Sequence, residues 1–199
     1  MKKIAPVFLP VFLFASLAFG QSTDDFSFTV SDGKTTIDGY AGIPMEVVIP
    51  ERINGLPVVA IGEGAFFNSA LTGVSIPAGV THIGDFAFSH NQLTSVSIPD
   101  SVTYIGDSAF SENQLTSVSI PSSVTYIGNG TFLENQLTSV SIPDGVTHIG
   151  DWAFSQNRLT GVSIPNSVTH IGDWAFSQNR LTSVSIPNGV PVLEIWRFT

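Results

Sequence analysis

The sequence predicts a β-rich solenoid of 22-residue coils, and three observations carry that prediction. The ten residues DWAFSQNRLT at 151–160 return unchanged at 173–182. A step of 22 from Leu71 reaches Leu93, Leu115, Leu137, Leu159 and Leu181 without insertion or deletion, and the same step carries Val74 to Val184, Ile76 to Ile186 and Pro77 to Pro187. Self-similarity at a fixed period of this size marks stacked repeats. Each unit also holds a proline, at least one glycine and mostly β-branched apolar residues, which suit strands and tight turns and exclude helical hairpins.

The unit reads L-x-x-V-x-I-P-x-x-V-x-x-I-G-x-x-A-F-x-x-N-x. In its SVSIP stretch the apolar residues alternate with serine, the period of a strand with one buried face. The VTHIG stretch is a second, weaker extended segment, ended by a glycine that permits a turn. Asp85, Asp107, Asp151 and Asp173 then stand where an N-cap would precede a short helical turn carrying Ala and Phe inward. Asn91, Asn113, Asn135, Asn157 and Asn179 follow, and stacked asparagines can pair turn amides and carbonyls that would otherwise be buried alone, so these five are expected to form a structural ladder. Ser69 holds that position in the first coil.

One coil cannot fold by itself. Its roughly six large apolar side chains contribute about 2 kcal/mol each, against about 1.5 kcal/mol of ordering entropy for every residue. Stacking changes the balance, because each coil supplies hydrogen-bond partners to its neighbours and covers their apolar faces.

The unit L-T-S-V-S-I-P-x-x-V-T-x-I-G-D-x-A-F resembles the leucine-rich repeat of the BspA-like (Treponema pallidum type) class, over roughly residues 58–189. The stretches FSFTVSDGKTTIDGYAG and VVIPERINGLPVVAIGEGAF resemble the amino-terminal cap of such proteins. The resemblance implies a right-handed leucine-rich repeat superhelix used for binding, with adhesion or host contact as its role. Many relatives carry cysteine in the turn after A-F, where this chain has asparagine. The expected organisation is a signal peptide at 1–20, an N-terminal β cap at 21–57, an array of about six coils at 58–189 and a degenerate half-coil at 190–199.

Composition addresses compartment and partners. Lys2 and Lys3 precede an apolar run over residues 4–18, and Ala18 and Gly20 sit at the small-residue positions of a cleavage site, leaving Gln21 as the mature start. Export to the medium or cell surface follows, with the periplasm as an alternative. The chain has no cysteine, which excludes disulfides, and no other apolar run long enough to span a bilayer. Its net charge is −9, or about −11 once the two leader lysines are removed. Nucleic acids and anionic lipids need clustered Lys and Arg, so both are disfavoured as partners.

Several columns could carry function. Ser97, Ser119, Ser141 and Ser163, with Ser117 and Ser139 in a parallel column, predict a sheet face covered in hydroxyls; it either meets a ligand or keeps the sheet soluble. His82, Tyr104, Tyr126, His148 and His170 predict a continuous aromatic and imidazole strip, for coils about 4.8 Å apart, able to stack on sugars or peptide side chains. Cross-coil packing is the plainer reading of the same column. Two adjacent histidines without carboxylate or thiolate make an incomplete metal site, and the Asp column, interrupted by Asn129, lacks a calcium loop, so neither metal nor cofactor is expected. Phe86, Trp152 and Trp174 form a patchy third column beside Ser108 and Gly130.

No nucleophile, base and orienting acid stand out as a unique group, and no HExxH, GxSxG or phosphate loop occurs, so an enzyme is not expected. The expected function is a secreted or surface-associated binding module of adhesion type, for an extracellular protein or glycan. The alternatives are a scaffold or piece of a larger array and, from Thr81, Thr103, Thr125, Thr147 and Thr169, an ice-binding solenoid. At the C-terminal end Val190, Leu193, Trp196 and Phe198 continue the repeat register, and an open strand edge there would permit end-to-end self-association.

Overall fold

A computed structural model describes residues 21–43 and 45–186; the expected signal peptide and the half-coil at 190–199 lie outside the described residues. The cap begins with β1 (Phe26–Ser31) and β2 (Lys34–Tyr40), an antiparallel hairpin turning at Asp32-Gly33, both at positive φ. Two left-handed residues match the strands' own twist, which is why Asp-Gly closes such hairpins. β3 (Glu46–Val48) starts one strand column, and β4 (Arg52–Ile53) turns back through Asn54-Gly55 onto β5 (Leu56–Ile61), which starts another. The Gln21 side chain donates to Val48 O at 2.7 Å and accepts from Val48 N at 3.0 Å, acting as a one-residue partner for β3.

The array stacks in parallel along three columns. The SVS column holds β6 (Gly73–Ser75), paired to β3, then single bridges Ser97↔Ser119 and Ser119↔Ser141, then β11 (Gly161–Ser163) with β13 (Ser183–Ser185). The second holds β7 (His82–Ile83), β8 (Tyr104–Ile105), β9 (Tyr126–Ile127), β10 (His148–Ile149) and β12 (His170–Ile171), each partner 22 residues from the last. In the third, the turn after I-G, Phe66, Phe88, Phe110, Phe132 and Phe154 donate their N–H to the next coil's Ala87, Ala109, Thr131, Ala153 and Ala175 carbonyls at 2.8–2.9 Å. The short helical turns expected here are hydrogen-bonded turns with no helix in the array among the described residues, because their third residue takes positive φ and ends the helical path.

The core is a stack of phenylalanines. Phe66, Phe88, Phe110, Phe132, Phe154 and Phe176 are fully buried, with successive rings 5.1–5.8 Å apart and within 13° of parallel, the offset stack that aromatic quadrupoles favour. Phe26 and Tyr40 of the cap close its first end against Phe66 at 6.4 and 5.6 Å. Coils touch so closely at the corner that a Cβ on Gly106 would lie 2.6 Å from Asp85 N, which is why I-G repeats.

One seam is looser than the rest. β8 and β9 are not paired, so the second column splits into two sheets there, and Phe110–Phe132 at 5.8 Å is the widest step of the stack. The coil on its far side differs from the others at two inward positions: Thr131 stands where they have alanine, fully buried, with Oγ1 donating between Gly128 O and Gly106 O, and Leu133 stands where the other coils from 88 to 176 have a buried serine. Added bulk in a close-packed layer is accommodated by small shifts between coils, and the missing β8–β9 pairing coincides with it.

Candidate functional site

Side chains of each coil divide into those that face the stack and those that leave it. The five asparagines face it. Each Nδ2 donates to the Phe carbonyl of its own coil and of the preceding one, as Asn135 does to Phe132 O (3.3 Å) and Phe110 O (2.9 Å). Each Oδ1 accepts from the preceding coil's leucine N–H: Leu71, Leu93, Leu115, Leu137 and Leu159, at 2.9–3.0 Å from Asn91, Asn113, Asn135, Asn157 and Asn179. Ser69 N–H joins Leu71 on Asn91. An amide has both donor and acceptor, so one side chain serves both kinds of orphan at every turn.

The aspartates run a second ladder, and its direction differs from the expected cap. Asp85 Oδ1 accepts from Asp107 N (2.9 Å), Asp107 from Asn129 N (2.8 Å), Asn129 from Asp151 N (2.9 Å) and Asp151 from Asp173 N (2.6 Å). Each carboxylate serves the next coil rather than its own turn. Asn129 fills the place isosterically, so this position needs an oxygen, not a charge.

The His/Tyr column lies on the surface beside this acidic ladder. All five residues are exposed, Tyr104 and Tyr126 by 42% and 41%, which places the rings outside the core. His82–Tyr104 centroids are 6.0 Å apart, Tyr126–His148 6.1 Å and His148–His170 5.7 Å. The strip is therefore two ring clusters rather than the continuous run expected, broken between Tyr104 and Tyr126 at the Thr131 seam.

Hydrogen bonding ties two of the imidazoles to their neighbouring threonines. Thr81 Oγ1 donates to Val59 O and Thr147 Oγ1 to Thr125 O, so each hydroxyl proton is spent. His82 Nδ1 lies 2.8 Å and His148 Nδ1 2.9 Å from those hydroxyl oxygens, which engages Nδ1 of each ring and leaves Nε2 outside these bonds. Burial raises the Tyr104 and Tyr126 phenols above their usual range, and the carboxylates of Asp85 and Asp107 for Tyr104, and of Asp107 and Asp151 for Tyr126, push the same way. Tyr104 also hydrogen-bonds to Asp85. The threonines' use as backbone donors, repeated at Thr103 and Thr169, removes their protons from any array offered to ice.

Ser97, Ser117, Ser119, Ser139, Ser141 and Ser163 are exposed on the SVS column, as a solvated strand face requires. Phe86, Trp152 and Trp174 are 44–49% exposed and sit at φ 55°, 53° and 59°, where Gly64 and Gly130 stand in their own coils. Bulky residues are strained in the left-handed region, and here about half of each side chain stays in solvent.

One constellation escapes a reading along the sequence. Ser89 Oγ lies 2.9 Å from His90 Nδ1, and His90 Nε2 lies 2.9 Å from Glu112 Oε2. Only coil stacking brings Glu112 beside His90, and the signal for it was the 22-residue period itself. Ser89 is fully buried and bonded to Ser111 Oγ at 2.8 Å, so this hydroxyl meets no substrate and the group is structural. Among the described residues no three metal-ligating side chains converge, and no helix is long and apolar enough to cross a membrane.

Comparison with known proteins agrees with this architecture. The BspA type leucine rich repeat region matches in six copies, over residues 59–182 and 125–199. A leucine rich cell surface protein from Faecalibacterium prausnitzii A2-165 is similar at 30% identity and TM-score 0.64, covering 82% of this chain, which spans 53% of that protein. The leucine rich repeat protein of T. pallidum is similar at 25% identity and TM-score 0.59, covering 87% of this chain and 91% of its own. Pneumococcal vaccine antigen PcpA shares the fold at TM-score 0.65 and 20% identity, over 87% of this chain and 50% of that one. No curated protein matches. With six repeat copies matched and the coil geometry in hand, the chain belongs to the BspA type leucine-rich repeat family.

Proposed function

We propose that this protein is a non-enzymatic binding module of adhesion type, secreted or held at the bacterial surface, that grips an extracellular protein or glycan along its His82/Tyr104 and Tyr126/His148/His170 rings. The observation that carries the reading is the outward ring strip: five aromatic or imidazole side chains at one position of five successive coils, exposed, with the core complete without them. Aromatic rings supply more contact energy per residue than the serine field, whose hydroxyls offer little against water. The cell-surface description of the Faecalibacterium relative supports the compartment, and the lysine-led apolar leader supports export.

The test is saturable binding of the purified protein to a panel of matrix proteins, mucins and glycans, beside a Tyr126→Ala, His148→Ala, His170→Ala variant. Binding that the variant loses supports the reading. Binding that survives in the variant moves the site off the strip, and a folded protein that binds nothing on the panel favours a scaffold.

A further inference from the structure

Beyond being exposed, the ring strip is chemically one-sided. His82 and His148 are held by Nδ1 against the neighbouring threonine, so their ring orientation is set from one side. The ladder carboxylates hold Oδ1 against the next coil's backbone, so their charges are fixed in place beside the rings. Asp85, Asp107 and Asp151 meet no Lys or Arg among the described residues, whose ion pairing is His90 with Glu112. Lys34 and Arg52 belong to the cap, and Arg158 and Arg180 stand at the strand entry, six residues beyond the tryptophans. The strip therefore combines negative charge and π faces. Lys and Arg side chains are its complement: cationic, donors only, and attracted to ring faces.

Spacing narrows the shape of that ligand. Ring centroids within each cluster step by 6.0, 6.1 and 5.7 Å. An extended peptide rises about 3.3 Å per residue, so its alternate side chains lie about 6.6 Å apart on one face. Within each cluster, a strand-like peptide running along the coil axis thus offers about one side chain to each coil.

We infer that the strip's occupant is an extended basic polypeptide segment, with Lys or Arg at alternate positions seated between the rings and the Asp85, Asp107 and Asp151 carboxylates. This rests on the strip being the binding face, as proposed above, and adds the class and register of the partner.

The experiment is fluorescence anisotropy of labelled synthetic peptides with the purified protein, at low ionic strength and again with added salt. The probes are an alternating Lys-Thr peptide, its isomer with all lysines in one block, the alternating Glu-Thr peptide, and a neutral cello-oligosaccharide. The charge test is the Asp85→Asn, Asp107→Asn, Asp151→Asn variant, whose amide oxygens can accept the next coil's N–H as Asn129 does, and its cooperative melt is verified first because Asp107→Asn also removes the acceptor of Asn129 Nδ2. The alternating Lys-Thr peptide is expected to bind saturably and more tightly than its block isomer, to weaken with salt, and to lose about tenfold in affinity on the variant, as three exposed ion pairs predict. Equal binding of the block isomer overturns the register. Undiminished binding to the asparagine variant overturns the charge argument. Binding of the oligosaccharide but not of Lys-Thr overturns the basic-peptide occupant while leaving the strip as the binding face, and binding of neither overturns the occupant and leaves the strip to be judged by the panel experiment.

Discussion

Two sets of columns run the length of the array, and they vary in opposite ways. Facing inward, every coil from 88 to 176 repeats Phe, Leu and Asn at the same places, and the coil that departs from the rest, with Thr131 for alanine and Leu133 for a buried serine, is the one at which β8 and β9 are unpaired. Facing outward, the same coils exchange His for Tyr, Asp for Asn, and Phe for Ser, Gly or Trp, with no break in the Phe stack. The inward side chains must match their copies above and below, since each bonds to both neighbours. The outward ones answer to solvent or to a partner. Where a residue costs the fold something and still stays, as the left-handed tryptophans do, folding alone does not explain its presence.

Breaking an inward column should cost most. Asn135→Leu leaves Phe110 O short of a donor and Leu115 N without its acceptor inside the core, and a loss of about 3 kcal/mol is expected, read as a lower melting midpoint. An unchanged melt would remove the ladder from the account. An outward change of similar bulk should go the other way: Trp152→Asn places a residue that tolerates left-handed backbone at φ 53°, and stability is expected to hold or rise by about 1 kcal/mol.

Thr131→Ala sharpens the comparison at the seam. It restores the inward consensus, so the net stability change should stay within about 1 kcal/mol as a lost hydroxyl bond offsets relieved crowding. Amide exchange at Gly128 should slow as its N–H gains the Ile105 carbonyl, the bond Gly150 N makes to Ile127 O at 2.8 Å. Exchange that does not slow would place the cause of the seam elsewhere.

The smallest effect concerns the phenols. All three tyrosines, Tyr40, Tyr104 and Tyr126, are raised by burial first and nearby aspartates second. The folded state thus holds these protons more tightly than the unfolded chain, so their contribution to stability is complete below about pH 10 and is lost as pH rises through the raised values. Absorbance titration of the native protein should give midpoints above those of the unfolded chain; equal midpoints would contradict the acidic setting of the strip.

Much of this was legible in one sequence because a period supplies its own alignment. The buried columns, the strand pairs and the asparagine ladder follow from stacking identical units, and the paired residues are found by adding 22. Direction was less legible. Asp85 has the identity and place of an N-cap, yet its acceptor is used across coils, because the turn after it departs from helix at Phe86. Gly64 and Gly130, in register with Phe86 and Trp152, were the available sign of that positive φ. The break in the ring strip was hidden for another reason: it falls at the coil whose inward positions 131 and 133 depart from the consensus, not at any change in the strip's own residues. The two cap hairpins were not read from the sequence, although Asp32-Gly33 and Asn54-Gly55 were available as their turn signals, whereas the Gln21 amide on Val48 joins residues that no pattern connects.

The division between a folding interior and a binding exterior is tested most directly by measuring melting and binding on one preparation of the Tyr126→Ala, His148→Ala, His170→Ala variant. The account predicts a cooperative melt displaced by no more than about 0.5 kcal/mol per site, as for exposed positions, together with lost ligand binding. A melt that collapses would make the strip part of the fold, and an intact melt with undiminished binding would place the ligand on another face.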